Sequence, residues 1–328
     1  MATEETHLEG RVLRKLQGDY LVQTPAGPYN CKISNKLRKE LLYPTSDASS
    51  GTLRRVQAVE EIRQVDPVAI GDHVALVDAG HQTGVIREVL PRRNQLSRRA
   101  AGLEQREQII AANVDQILMI IAAAQPSPRW HALDRMLVLA GLAGIPAVIC
   151  LTKIDLKVKR DVWAMSDVYA GLGYPVLHTS VVDGRGVDAL KATLQGKTTV
   201  LFGMSGVGKS SLLNAVEPEL GLNVRQIRLA IDKGRHTTTH LEMFPLTLGG
   251  EVIDTPGIKI FGFHDLDPAE LASYFPEMAP LQGQCKFRAS CSHRQEPECA
   301  IRDAVTAGAI NRERYASYVK MYDYISGQ

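Results

Sequence analysis

Apolar positions along the chain fall into two kinds of run. Over residues 7–34, and again at Gly71–Val77 and Thr83–Leu90, apolar and polar residues alternate in short stretches, punctuated by Gly18-Asp19 and Pro25-Ala26-Gly27-Pro28. Alternation bounded by turn residues predicts short strands with one buried face. Several such strands close together predict a small β-barrel, either of the oligonucleotide-binding type or a packing module only. The polar stretch Pro44–Thr52 reads as a loop. From about residue 110 the pattern changes. Gln116–Ala123 is apolar throughout, as a strand buried on both faces of a parallel sheet requires. Helical patterning over Leu133–Gly144 and Asp161–Leu172 alternates with strand-like runs at Pro146–Leu151, Pro175–Thr179, Thr198–Phe202 and Glu251–Ile253. That alternation predicts a doubly wound α/β domain. Ala300–Val305 and Asn311–Tyr324 read as helices, with Tyr315, Val319 and Tyr322 on a face assigned to core.

Four segments follow: a barrel over 1–91, an arginine-rich linker over 92–109, an α/β domain over 110–264 and a C-terminal domain over 265–328. The linker contains Arg92, Arg93, Arg98 and Arg99, a cluster suited to a phosphate backbone or to a solvated connection. A net charge of +2 over 328 residues gives no global field to draw nucleic acid, so any such contact rests on local clusters. Residues 1–10 are acidic and polar, without the apolar core of a signal peptide, and no apolar run has the length of a membrane span. Of five cysteines, Cys285, Cys291 and Cys299 crowd around His293. Three thiolates and an imidazole form a complete tetrahedral zinc set, which suits a reducing compartment better than a disulfide framework. The reading is cytoplasmic, with one structural Zn²⁺.

The chemistry centres on Gly203-Met204-Ser205-Gly206-Val207-Gly208-Lys209-Ser210, a G-x-x-x-x-G-K-S run between a strand and a helix that starts near Ser211. In that setting backbone N–H groups wrap phosphates, Lys209 reaches the β and γ oxygens, and the Ser210 hydroxyl is a Mg²⁺ ligand. The motif predicts binding of a nucleoside triphosphate. Downstream, Asp254-Thr255-Pro256-Gly257 follows the strand-like Val252-Ile253. Asp254 there can hold Mg²⁺ through water, and the Gly257 N–H can bond the γ-phosphate. Thr152-Lys153-Ile154-Asp155 follows another strand. The Asp155 carboxylate can accept both the N1–H and the exocyclic N–H of guanine, a donor pair adenine lacks. Thr179-Ser180-Val181 ends a later strand, where a backbone N–H can meet the guanine O6. The base-reading segments precede the phosphate-binding ones, the reverse of the ordinary GTPase order.

With these motifs, and Gly234-Arg235-His236-Thr237-Thr238-Thr239-His240 between them, the sequence resembles the circularly permuted, small-ribosomal-subunit-dependent GTPase family over nearly its whole length. The resemblance implies an oligonucleotide-binding barrel, a permuted α/β GTPase domain and a small α-rich zinc domain with ligands Cys285, Cys291, His293 and Cys299. It assigns the nucleotide to Thr152, Lys153, Asp155, Ser180, Val181, Gly203, Ser205, Gly206, Val207, Gly208, Lys209, Ser210, Ser211, Thr238, Asp254 and Gly257. Mg²⁺ then falls to Ser210 and Thr238, with Thr237 and Thr239 left open by composition. Thr152 stands where many GTPases carry asparagine, which weakens one bracing hydrogen bond near the base. Ile258 follows the D-T-P-G run and cannot polarise water. His236, in the polar segment beside the threonines, is therefore the candidate to orient water, with Lys209 neutralising charge.

The implied activity is Mg²⁺-dependent GTP hydrolysis by a monomer that binds GTP, GDP and small-subunit 16S-type rRNA. The implied role is maturation of the subunit, which stimulates hydrolysis and is released according to nucleotide. An rRNA-binding assembly factor using nucleotide only as a conformational signal is the alternative, and a P-loop ATPase or kinase a third.

Overall fold

Strand β1 (His7–Lys15) pairs antiparallel with β2 (Tyr20–Thr24), and β2 with β3 (Gly27–Ile33). Helix α1 (Asn35–Leu42) follows, then the hairpin of β4 (His73–Gly80) and β5 (Thr83–Val89). β3 pairs parallel with β5, and β1 antiparallel with β4, so the neighbour order β1-β2-β3-β5-β4 closes on itself. Closure leaves no unpaired edge. Alternate positions point inward: Val12, Val22, Cys31, Val74, Leu76 and Ile86 are each 0% exposed and share one core with Tyr20 and Tyr29. The alternation read from the sequence thus becomes the wall of a five-stranded barrel.

These coordinates are a computed structural model that describes residues 6–15, 18–42, 68–99, 107–218, 241–255, 262–263 and 266–327. The polar loop 44–52 and the segments bearing His236, Thr238 and Gly257 lie outside the described residues. The chain divides into two units, one formed by Met1–Val114, Thr238–Phe244 and Ile253–Pro256, the other by Asp115–Thr237, Pro245–Val252 and Gly257–Gln328.

The stretch 92–109, read above as a linker, carries structure of its own. β6 (Gln95–Arg99) pairs antiparallel with β7 (Glu107–Ala112). Arg92 grips the buried Asp72 at both ends of its fork, Nε to Oδ1 at 2.7 Å and Nη2 to Oδ2 at 2.8 Å. Asp72 also accepts the Ala69 amide at 2.8 Å. Arg93 donates to the Asn113 carbonyl at 3.3 Å and Arg98 to Gln108 Oε1 at 2.8 Å. A buried carboxylate is costly unless paired, and Asp72 takes Arg92 for that purpose. Arg92 thus serves the buried part of the first unit, while Arg93, though bonded, stays exposed.

In the second unit, β8 (Gln116–Ala122), β9 (Ala147–Thr152), β10 (Val176–His178) and β11 (Thr198–Gly203) lie in the order β10-β9-β8-β11, every pair parallel. Helices α2 (Trp130–Leu142), α3 (Arg160–Gly171) and α4 (Val187–Leu194) connect them, and α5 (Lys209–Val216) leaves β11. Such parallel connections need crossover helices, which is why the sequence alternates. Trp130 lies 5.6 Å from Tyr169 between ring centroids, and Trp163 lies 5.3 Å from His178. β12 (Glu242–Pro245) and β13 (Glu251–Asp254) come later in the chain and are divided between the two units, Glu251 of the second donating its amide to the Lys197 carbonyl at 2.9 Å.

Towards the C-terminus, short 3₁₀ turns at Pro268–Tyr274, Ala279–Leu281 and Arg288–Ser290 precede α6 (Ala300–Thr306) and α7 (Arg312–Ser326). The buried face of α7 is Arg314, Ser317, Tyr318 and Met321. Tyr315, Val319 and Tyr322, assigned to core from the sequence, are half-buried instead. The reason is Arg314, 1% exposed by its side chain, which reaches Asp134 of α2 at 2.5 Å and Glu277 at 2.7 and 3.0 Å. Tyr169 of α3 donates to the same Asp134 oxygen at 2.6 Å. Removing one member strands a buried charge, which costs about 3–5 kcal/mol. Arg314→Ala should therefore lose that much in urea unfolding, whereas exposed Arg312→Ala should change it little. Equal effects would show that the buried pairing contributes nothing.

Candidate functional site

β11 ends at Gly203, still paired with Ile120 of β8, where the backbones run so close that a Cβ on Gly203 would lie 2.7 Å from the Ile120 carbonyl oxygen. The loop then turns through Gly206 (φ +80°) and Gly208 (φ +98°), a left-handed backbone that only glycine adopts without strain. Helix α5 starts at Lys209, so its unpaired N–H groups face the loop. The Lys209 Nζ donates to the Gly203 carbonyl and, at 3.4 Å, to that of Met204, which holds its charge over the loop. Ser210 and Ser211 are exposed in the first turn of α5. A hydroxyl presented there is an oxygen donor of the kind Mg²⁺ takes, and the cradle of N–H groups with a lysine suits a triphosphate.

The residues that the sequence assigns to the base are fastened to this loop. Thr152 closes β9 buried, and its hydroxyl lies 2.5 Å from the Val207 carbonyl and 3.2 Å from that of Ile121. The threonine hydroxyl thus supplies a brace at the position where a weakened one is expected with threonine in place of asparagine. Lys153, at φ +60°, sends its Nζ to the Gly206 carbonyl at 2.7 Å and to the Gln125 carbonyl. Asp155 is exposed and accepts the Ser180 hydroxyl at 2.7 Å. Ser180 Oγ in turn accepts the amides of Val182 and Asp183 at 3.2 and 3.4 Å, which fixes the direction of its own hydrogen toward Asp155. Val181, beside it, is exposed.

Two partners in this site carried no sequence signal. Gln125 contributes only a carbonyl. Arg185 pairs with Asp183 at 2.6 Å and reaches the Ile154 carbonyl at 3.4 Å, tying the two base-side loops together. The Arg185 hydrogen bonds hold the Asp183 carboxyl down at about 2. Beside the phosphate loop lies a cleft of about 150 Å³, walled by the end of β8, Pro126–Arg129, the start of α2 and Gly203–Ser205. Asp254 ends β13, 7% exposed, and counts with the first unit.

The four zinc-type residues come together as the spacing predicts. Cys285, Cys291, His293 and Cys299 are buried, and their ligand atoms lie within 4.8 Å of one another. Cys285 Sγ stands 3.7 Å from Cys299 Sγ and 3.4 Å from His293 Nδ1, with Cys299 Sγ to His293 Nδ1 at 3.5 Å. A tetrahedron with metal–sulfur bonds of about 2.3 Å has edges of about 3.8 Å. Burial pushes the Cys291 thiol up to about 12, so a cation is needed to keep thiolates there. His293 sits at φ +59°, its carbonyl accepts the Tyr315 hydroxyl at 2.7 Å, and Glu296 accepts the Ser292 amide at 2.7 Å. The donor set and geometry fit a closed Cys₃His zinc site.

A parallel sheet with a phosphate-binding loop, and a T-K-x-D segment braced to it from a strand earlier in the chain, define a P-loop GTPase of permuted order. Comparison with known proteins agrees. The family model described as RsgA GTPase matches residues 89–264. The chain is 42% identical to the small ribosomal subunit biogenesis GTPase RsgA of Gemmatimonas aurantiaca, over 80% of this chain and 85% of that one. It is 36% identical to the protein of that name from Phocaeicola vulgatus, over 96% of each. Among solved structures, YjeQ from Thermotoga maritima superposes with a TM-score of 0.73 at 31% identity, over 98% of this chain and 100% of that one. YloQ, a circularly permuted GTPase, gives 0.66 at 30%, over 100% and 98%. This chain belongs to the RsgA GTPase family, and it is a GTP-hydrolysing enzyme. Among its described residues no helix is long and apolar enough to cross a membrane.

Proposed function

We propose that this GTPase acts in maturation of the small ribosomal subunit, binding the subunit and its rRNA in one nucleotide state and leaving it in another. The observation that carries the guanine assignment is the chain of contacts from Ser180 through Asp155, Lys153 and Thr152 to Val207 and Gly206. It ties the residue that selects the base to the loop that holds the phosphates. The ribosomal role follows from relatives named for small-subunit biogenesis that align along almost the full chain.

In this reading Asp155 accepts the two guanine N–H donors, Ser180 holds it in place, and the Val181 backbone N–H meets O6. Gly203, Ser205, Gly206, Val207 and Gly208 present the phosphate cradle, with Ser211 at its helix end. Lys209 leaves the Gly203 carbonyl for the β and γ oxygens and neutralises charge as it develops. Ser210 and Thr238 would hold Mg²⁺, with Asp254 reaching it through water and the Gly257 N–H on the γ-phosphate. Held there, the metal would supply further neutralisation of the phosphate charge. His236 orients the attacking water, because Ile258 has no polar group to do so. Cys285, Cys291, His293 and Cys299 hold one structural zinc. The protein works in the cytoplasm as a monomer, exchanging GDP for GTP.

GTPase rates measured with and without purified small subunits test the role. The expected result is a clear stimulation by small subunits and none by large ones. The same rate in all three conditions would remove the ribosomal assignment while leaving the GTPase intact. In the same assay His236→Ala should bind GTP near normally and hydrolyse it slowly in a single turnover. An unchanged rate would pass the water-orienting role to His240, to backbone or to the subunit.

A further inference from the structure

We propose that Arg129 is a catalytic arginine supplied in cis, its guanidinium placed on the γ-phosphoryl group of bound GTP. Phosphoryl transfer spreads charge over the γ oxygens and the leaving β–γ bridge oxygen, and an arginine on that charge is among the largest single contributions to such reactions. Lys209 is the one cation the loop motif itself provides.

Arg129 stands where a second can act. The Lys153 Nζ ties the Gln125 carbonyl to that of Gly206, so the segment leaving β8 is fastened to the apex of the phosphate loop. Its next residue, Pro126, lies 3.9 Å from where a Cβ on Gly206 would sit. Three residues of chain span at most about 11 Å, so Arg129 starts close to the loop. It lines the same cleft as Gly203, Met204 and Ser205. Its backbone is fixed as the residue before α2, its carbonyl accepting the Ala132 and Leu133 amides at 3.0 and 3.2 Å. Its side chain is exposed, and among the described residues the guanidinium has no hydrogen bond or ion pair. Neighbouring arginines are committed elsewhere. Arg185 is held by Asp183 at the base side, and Arg135 lies over the rings of Phe263 and Tyr324 at 5.0 and 4.4 Å. Arg129 combines a rigid start, a free fork and a cleft that opens on the phosphate loop.

The step itself is balanced without it. The water oxygen bonds to the γ-phosphorus as the bond to the β–γ bridge oxygen breaks. The electron pair of that bond stays on GDP, and the water's proton passes to the phosphate product or to solvent. Arg129 donates hydrogen bonds and keeps its charge throughout.

Single-turnover hydrolysis by Arg129→Ala and Arg129→Lys, together with GTP and GDP affinities, tests the assignment. For Arg129→Ala we expect affinities within about threefold of the parent and a rate lower by roughly a hundredfold or more, an arginine in this role being worth about 10³–10⁵. Free guanidinium ion should restore part of that rate in the alanine variant and leave the parent unchanged, which a merely structural arginine would not show. Arg129→Lys, which keeps the charge and loses the fork, should stay well below the parent. A parent-like rate in either variant, or a slow alanine variant that guanidinium does not rescue, overturns direct contact with the phosphoryl group.

Discussion

Elemental analysis should find one zinc ion per chain, and stripping it should unfold the C-terminal segment while the barrel keeps its strands. In zinc-finger peptides, binding of a structural zinc is worth about 10–16 kcal/mol, and that binding free energy is folding free energy. Apart from the metal, the segment from Gln284 to Cys299 is held by scattered single bonds. It contains a single short 3₁₀ turn, Arg288–Ser290, with Glu296 on the Ser292 and Arg294 amides at 2.7 and 3.0 Å and the Tyr315 and Tyr318 hydroxyls on the His293 and Ser292 carbonyls at 2.7 and 3.0 Å. Those bonds are worth about 1 kcal/mol each, or somewhat more where a charged group takes part, each far less than the metal. Circular dichroism and limited proteolysis after chelation would follow the loss, and readdition of zinc should reverse it. A metal-free preparation that resists protease as the parent does would mean that the quartet is only a cluster of buried thiols.

Guanine selection should depend as strongly on Asp155. Where a site is built to receive hydrogen bonds, a ligand that lacks the donors is rejected by about 10⁴–10⁵, so ATP should compete with GTP only at very high excess. Asp155→Asn turns an acceptor edge into one that can donate. It should weaken GTP sharply and favour xanthosine triphosphate, whose C2 oxygen accepts from an amide. Ser180→Ala should move binding in the same direction as weakened GTP but by less, since it removes the 2.7 Å brace and leaves the carboxylate. Competition binding with the three triphosphates reads both variants at once, and equal affinity of the parent for ATP and GTP would remove Asp155 from the base site.

Much of this was legible in the sequence because the features are local. The glycines of the phosphate loop, the apolar strand before it and the cysteine spacing each express a short-range constraint, and each reappears in place. What was not legible depends on partners far along the chain. Arg92 read as part of a cluster suited to a phosphate backbone or a solvated connection, and Arg314 gave no signal at all, yet each answers a buried carboxylate, Asp72 twenty residues away and Asp134 on another helix. No periodicity marks an arginine as buried. The face of α7 follows the same rule: Tyr315 and Tyr322 read as core, and the face that turns inward is the neighbouring one, with the charged Arg314 on it beside Ser317, Tyr318 and Met321. Thr152 shows the opposite case. A substitution judged by type implies a weakened brace, while the hydroxyl at that backbone position reaches the phosphate loop at 2.5 Å.

The placement of the tryptophans has a practical consequence for spectroscopy. The sequence holds two, Trp130 and Trp163, on α2 and α3 of the second unit, and the first unit has tyrosines such as Tyr20 and Tyr29 instead. Emission excited at the red edge of the protein band therefore observes one unit alone, and the barrel is silent in it. Trp130 is also the residue next to Arg129, so the same signal doubles as an optical probe of the cleft when nucleotide arrives. Denaturation curves from tryptophan emission and from circular dichroism will coincide only if both units melt together, which makes their separation a direct reading of how cooperative this chain is.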